Sequence, residues 1–91
     1  MGWNHRVLAT EHQMSDGTVE TYLAIHEIYY DDAGNPNGFT ANPITIGGDS
    51  LSGLNWTVDR IKECLEKPIL WGDERFPQEH KPQNEKNDKL D

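Results

Sequence analysis

The sequence predicts an α+β fold, a three-stranded antiparallel sheet followed by one helix in the order β-β-β-α. Residues 21–30 are the longest run of strand-favouring residues, with three Tyr, two Ile and one Thr. Residues 51–65 carry apolar side chains at helical spacing, which predicts an amphipathic helix packed on one sheet face. Residues 72–91 are mostly charged and polar. We therefore predict a small domain at residues 1–71 and a flexible, disordered C-terminal tail at 72–91.

The first two strands are predicted to form a hairpin. Residues 3–11 and 18–30 are the strands, and Asp16 and Gly17 lie at the turn, where Asp initiates and Gly adopts positive φ. Residues 31–38 are rich in Asp, Asn, Gly and Pro and predict a loop. Residues 39–46 are predicted as a third strand. Because Pro43 cannot donate a ladder hydrogen bond, this strand is expected at an edge or with a bulge.

The helix is predicted to begin after an N-cap at Ser50 and to run to about residue 67, where Pro68 ends it. The stripe expected to face the sheet is Leu51, Leu54, Val58, Ile61 and Leu65. Trp56 lies nearly opposite this stripe. An exposed tryptophan often marks a contact surface. The alternative is that Trp56 lies flat against the helix or against residues 69–71.

The second strand carries apolar side chains on both of its faces, whereas a half-buried strand alternates apolar with polar residues. One interpretation is that the face not covered by the helix binds a partner. The other is a bulge near His26 and Glu27 that switches the buried face midway. With the first interpretation, the predicted interaction residues are Trp56, Tyr22, Tyr30, His26 and Ile28.

Composition limits the function classes. The 91 residues carry a formal net charge of -8, so we expect no direct nucleic-acid binding, which needs clustered Lys and Arg. A core of about 70 residues is marginal by size, and dimerisation is a common remedy. The single cysteine, the lack of a signal-like N-terminus and the absence of a long apolar run predict a cytoplasmic protein that does not enter a membrane.

No residue pattern indicates catalysis, a resident cofactor or a metal signature, so we predict a non-enzyme. His5 and His26 could meet across the hairpin, and with Glu27 or Glu11 they suggest a possible zinc site. Cys64 has Arg60 and Lys67 within a turn, which could lower the pKa of the thiol. The alternative to a protein-interaction function is a small-ligand or metal-binding protein that uses the Tyr and His face of the sheet, with Tyr22, His26, Tyr30 and His5.

Two family resemblances follow from particular residues. The blocks at 3–7, 25–32 and 66–70 (WNHRV, IHEIYYDD and EKPIL) resemble a group of short, uncharacterised bacterial and phage proteins. The block at 46–51 (IGGDSL), which follows the third strand and opens the helix, is similar to the N-terminal domain of HicB-type antitoxins. The second resemblance implies an RNase-H-like β-β-β-α sheet, oligomerisation and binding of a toxin. The chain departs from that family in lacking a periodic C-terminal segment for DNA binding.

The sequence therefore predicts a small acidic protein-interaction module that forms a dimer through the sheet face or a sheet edge. It is expected to bind and inhibit a protein partner, as an antitoxin or a phage anti-defence protein does.

Overall fold

The computed structural model describes residues 2–81, which form an α+β protein with one helix and a five-stranded mixed sheet. The sheet order is β3-β2-β1-β4-β5, and β4 is parallel to β1 while the other neighbours are antiparallel. The elements in chain order are β1 (Gly2–Gln13), β2 (Val19–Tyr30), β3 (Pro36–Phe39), α1 (Leu51–Cys64), β4 (Ile69–Trp71) and β5 (Glu79–His80). The α+β class is confirmed, but the sheet has two strands more than predicted and is mixed.

The hairpin of β1 and β2 is confirmed, and its turn has the predicted chemistry. The Oδ1 atom of Asp16 accepts hydrogen bonds from the Thr18 backbone N at 3.0 Å and the Thr18 hydroxyl at 2.7 Å. Gly17 has a φ of 92°, which a residue with a Cβ rarely adopts. The ladder then continues from the Gln13–Val19 pair to the Gly2–Tyr30 pair without a register shift.

The third strand lies earlier than predicted, because residues 36–39 rather than 39–46 pair with β2. A register shift occurs between Tyr29 and Tyr30. Residues 40–44 follow the β2 edge with isolated bonds only: the backbone N of Thr40 donates to the carbonyl of Glu27, and that of Ile44 to the carbonyl of Ile25. Pro43 lies between these two donors and has no N–H, so it interrupts the ladder.

The first ten residues of the predicted flexible tail, 72–81, contain a turn and the short strand β5. β4 pairs with β1 through Leu8–Leu70 and Ala9–Trp71, and β5 then pairs with β4. The turn between β4 and β5 is held by Arg75, whose guanidinium lies 3.3 Å from the Trp71 ring centroid and ion-pairs with Asp73 and Glu11. The rest of the predicted tail, residues 82–91, lies outside the described residues.

Apolar side chains pack on both faces of the sheet. The face under α1 has Val7, Ile61 and Cys64 at its centre, with Ile25, Ile44 and Ile69 against them. The other face has Leu8, Ile28 and Leu70, with Tyr30, Phe39 and Phe76 against them. Phe39 and Phe76 meet with ring centroids 4.8 Å apart. The second face is thus covered partly by the turn between β4 and β5.

Helix α1 begins as predicted, since the Ser50 hydroxyl accepts a hydrogen bond from the Gly53 backbone N at 3.1 Å. It ends at Cys64, one turn before the predicted end. The predicted buried face is wrong in part. Ile61 and Cys64 are the buried helix residues, whereas Leu51 is 82% and Leu65 62% exposed. Cys64 packs beside Ile61 against Val7, and Leu54 is half-buried, so the helix is rotated such that the predicted stripe faces the sheet only in part.

Within residues 2–81, no helix combines the length and apolar character needed to cross a membrane.

Candidate functional site

The five predicted interaction residues do not form one surface. Ile28 and His26 are buried, so they offer no contact area to a partner in this structure. His26 lies edge-on to Phe39, and its Nδ1 atom donates to the Thr40 carbonyl at 2.9 Å. Tyr30 is partly buried and donates its hydroxyl proton to Asn4 Oδ1 at 2.7 Å. These residues stabilise the fold.

Tyr22 and Trp56 are exposed, as an interaction role requires, but they lie on opposite sides of the sheet. Tyr22 lies beside His12 on the hairpin, with ring centroids 6.0 Å apart. Trp56 is 56% exposed on the outer side of α1. A single partner surface therefore includes one of these residues and not both.

The structure gives a third explanation for the apolar side chains on both faces of β2, besides the predicted partner surface and the predicted bulge. The β1–β2 ladder has no bulge at His26 and Glu27. Instead, one face packs under α1 and the other packs against Phe39 and Phe76 of the same chain. The protruding part of the hairpin, residues 11–23, remains exposed.

The predicted meeting of His5 and His26 does not occur. Glu27 is the residue directly opposite His5, and Arg6 is opposite His26, so the two histidines lie on different faces of the sheet. Among residues 2–81, no group of three or more His, Cys, Asp or Glu side chains is placed to hold a metal ion. The predicted ligand set with Tyr22, His26, Tyr30 and His5 is therefore not assembled in one place.

The Cys64 thiol is buried under the helix, and this burial raises its pKa above the ordinary value, while Arg6 and Lys67 oppose the shift. The predicted lowering of the pKa is wrong because desolvation outweighs the nearby positive charges. Cys64 is a core residue, with no indication of a reactive thiolate.

A cluster of one cation and two indoles joins α1 to the end of the sheet. The Arg60 guanidinium lies 4.9 Å from the Trp56 ring centroid and 5.6 Å from that of Trp3. Both distances fall within the range of cation–π contacts. The Trp3 ring in turn meets the His5 imidazole edge-on, with centroids 5.4 Å apart. These contacts hold Trp56 at a defined position on the helix although its ring is largely exposed.

A cavity of about 350 Å³ opens between this cluster, the sheet and the loop after β3. Its walls are Trp3, His5, Glu27, Trp56 and Thr57, together with six loop residues: Thr40, Asn42, Pro43, Ile44, Thr45 and Gly47. His5 is only 7% exposed, and its Nδ1 atom has no hydrogen-bond partner. Burial is the main cause that lowers the pKa of His5; Arg60 also lowers it, and Glu27 opposes both. The wall thus combines an imidazole, a carboxylate and two indole rings.

A second feature is an exposed apolar row on α1, which we call the α1 apolar row and define as Leu51, Val58 and Leu65. Leu51 and Val58 border one shallow depression along the helix. Leu65 borders another, which continues to Leu23 on the exposed hairpin. Exposed apolar side chains therefore occur at intervals along one side of the helix and at its C-cap, Leu65.

The fold defines the class of the protein as α+β, with one helix against a five-stranded mixed sheet. Comparison of the chain with protein-family models, with curated proteins and with solved structures found no match. The resemblances to short phage proteins and to HicB-type antitoxins thus remain predictions.

Sequence reasoning missed the cavity, although one signal for it was present. Centring the hairpin turn on Asp16 gives the register in which His5 faces Glu27. Trp56 was singled out for its exposure. Its neighbours Trp3 and Arg60 could not be inferred, because the rotation of α1 on the sheet decides that contact.

Proposed function

We propose that this protein is a non-catalytic protein-interaction module that self-associates through the α1 apolar row. The observation that carries the proposal is the exposure of Leu51, Val58 and Leu65 on one side of a helix whose other side is packed. Apolar side chains that are scattered singly on a surface are common, whereas three that are aligned on one side of a helix in a small acidic domain favour an interface.

The spacing of the α1 apolar row favours a second copy of the chain as the occupant. Leu51 and Leu65 are each seven residues from Val58, so the row is symmetric about its centre. Two such helices packed antiparallel about a two-fold axis at Val58 would place Leu51 of each copy beside Leu65 of the other. Self-complementarity of this kind is what a two-fold symmetric interface requires.

The modest core supports the same proposal. The residues buried at the two centres of packing are Val7, Leu8, Ile28, Ile61, Cys64 and Leu70. A core of this size gives limited stability to a domain of about 80 residues. Covering the α1 apolar row would remove further apolar surface from water, at about 25 cal/mol for each Å². The proposed interface lies on the helix, in contrast to the sheet face or edge inferred from the sequence.

Sedimentation velocity over a range of protein concentrations tests the proposal. The wild-type chain is expected to change from monomer to dimer as concentration rises. The Val58→Asp variant would bury a charge at the centre of the interface, so it is expected to remain monomeric. Val19→Asp is the matched control, since Val19 is an equally simple apolar side chain exposed at the start of β2, away from the helix. It should dimerise like the wild type.

Several outcomes would count against self-association through α1. A wild-type chain that stays monomeric at all concentrations contradicts it, as does a Val58→Asp variant that dimerises normally. If Val19→Asp and Val58→Asp lose the dimer equally, the added negative charge and not the position of Val58 accounts for the loss, which also counts against the proposal. The binding and inhibition of a different protein, which the HicB resemblance implies, is a finer proposal. It gains support if the wild type is monomeric and the α1 apolar row is needed to bind a purified partner.

A further inference from the structure

The cavity beside Trp3 and Trp56 is independent of the α1 apolar row, because Leu51, Val58 and Leu65 do not line it. Its volume of about 350 Å³ lies near the lower end of the range for small-molecule sites, about 300–1,000 Å³. The elements around it differ in kind: β1 gives Trp3 and His5, β2 gives Glu27, and α1 gives Trp56 and Thr57. Side chains converge there from three elements and from the loop of residues 40–47.

The Glu27 carboxylate in the wall is an acceptor with remaining capacity. Its Oε1 atom accepts one hydrogen bond, from the Tyr29 hydroxyl at 3.0 Å, and an ionised carboxylate can accept several. The His5 Nδ1 atom has no hydrogen-bond partner, but it is buried and therefore not open to a ligand. A ligand that brings N–H donors would satisfy the remaining capacity of Glu27.

The charge distribution favours a positively charged ligand. Glu27 is the one charged side chain among the wall residues, and the formal net charge of the chain is -8. The faces of indole rings attract cations, and Trp3 and Trp56 already hold the Arg60 guanidinium in this way. Arg60 itself does not line the cavity, but its charge reaches the wall, where it lowers the pKa of His5. A compact cation therefore gains from contact with Glu27, and it has to lie on the side of the indoles away from Arg60.

We propose that this cavity binds the alkylammonium group of a small organic amine, with Glu27 as the anionic partner and Trp3 and Trp56 as the aromatic wall. Thr45 lies at the same cavity and offers its hydroxyl group to other polar atoms of the ligand. No chemical reaction is implied, since a ligand held by these groups is bound and not activated.

A nuclear magnetic resonance titration tests this proposal with three probes of the same size and different charge: butylammonium, 1-butanol and butyrate. The readout is the position of the indole N–H signals. Those of Trp3 and Trp56 are expected to shift with butylammonium, while that of Trp71, which packs against Arg75 and His80, should stay unchanged. Butanol should bind at least about tenfold more weakly, which is the effect of one moderate ionic contact, and butyrate should not bind.

The variants separate the site from general effects of charge. Glu27→Gln keeps the shape and the acceptor for Tyr29 but removes the charge, so the Kd for butylammonium should rise at least about tenfold. Glu20→Gln removes a charge from the same strand at an exposed position outside the cavity and should leave the Kd unchanged. Unchanged melting temperatures show that both variants are folded.

Three results would overturn the proposal. The first is the absence of any shift at Trp3 and Trp56 with butylammonium. The second is equal binding of butylammonium and 1-butanol, which would indicate a merely apolar crevice. The third is a Glu27→Gln variant that binds like the wild type. A parallel titration with acetylated lysine methylamide identifies the source of the ligand: tighter binding than butylammonium points to a lysine side chain, and equal binding to a free amine.

Discussion

His5 makes the stability of the fold depend on pH. Its burial is the main cause that lowers the pKa of the imidazole; Arg60 adds to the shift and Glu27 opposes it. The unfolded chain therefore binds the proton at a higher pH than the folded chain does. As the pH falls below the ordinary histidine pKa of about 6.5, the unfolded state gains protons first, and the free energy of unfolding decreases. Above that pH neither state binds the proton, so His5 no longer changes the free energy of unfolding.

Urea unfolding at several pH values measures this contribution. In the wild type, the free energy of unfolding should fall between about pH 7 and pH 5.5, a window placed below the ordinary histidine pKa. The His5→Gln variant should lose part of this pH dependence because its side chain does not titrate. His12→Gln is the control, because His12 is exposed on the same strand. In this variant the pH dependence of the free energy of unfolding should match that of the wild type. An unaltered slope in His5→Gln would show that another group is responsible.

At the scale of elements, the approach of the chain to α1 depends on Gly48. A Cβ at Gly48 would lie 3.0 Å from the backbone N of Leu54 and 3.4 Å from the carbonyl carbon of Gly53. Backbone atoms of a helix cannot move aside cheaply, so Gly48→Ala should lower the free energy of unfolding by about 1–3 kcal/mol. Gly47→Ala is the matched control, because nothing lies within 4 Å of its Cβ position.

Chemical denaturation of both glycine variants decides this point. Gly47→Ala should be neutral or slightly stabilising, since alanine restricts the unfolded chain. Equal stability of the two variants would mean that residues 47–48 are free to move away from the helix. In that event the wall of the cavity near Gly47 would also be adjustable.

The hairpin turn and the start of the helix, which short-range sequence motifs specify, were predicted correctly. The strands β4 and β5, which have no such motif, were missed. Asp16 and Gly17 specify the hairpin turn, and Ser50 specifies the helix start. β4 and β5 have three and two residues, too few for a periodic pattern, and β4 is recruited by pairing with β1 some 60 residues earlier. Tertiary contact alone decides such pairings.

The rotation of α1 marks the limit of prediction for the candidate surfaces. Helical spacing placed Leu51, Leu54, Val58, Ile61 and Leu65 in one stripe, but it could not show that only part of this stripe would be buried, with Cys64 beside Ile61. The same rotation brings Arg60 against Trp3 and opens the cavity beside it. Both candidate surfaces thus depend on the rotation of α1 on the sheet, which no local sequence signal specifies.

At the scale of the whole molecule, the α1 apolar row and the cavity lie at different positions and carry different chemical groups. The α1 apolar row is uncharged and continues toward Leu23 on the hairpin, whereas the cavity has a carboxylate and an imidazole in its wall. Loss of either function by substitution is therefore expected to leave the other intact. Val58→Asp should still bind butylammonium, and Glu27→Gln should still dimerise.

The net charge of -8 gives the proposed dimer a definite salt dependence. Two chains of like charge repel one another, and salt screens this repulsion over a Debye length of about 10 Å at 0.1 M. Burial of the α1 apolar row is not weakened by moderate salt. The dimer Kd, measured by sedimentation equilibrium, should therefore decrease several-fold between about 0.05 M and 0.5 M sodium chloride, a range over which screening changes strongly. A Kd that rises with salt would instead indicate an interface formed by opposite charges, and would contradict association through the apolar row.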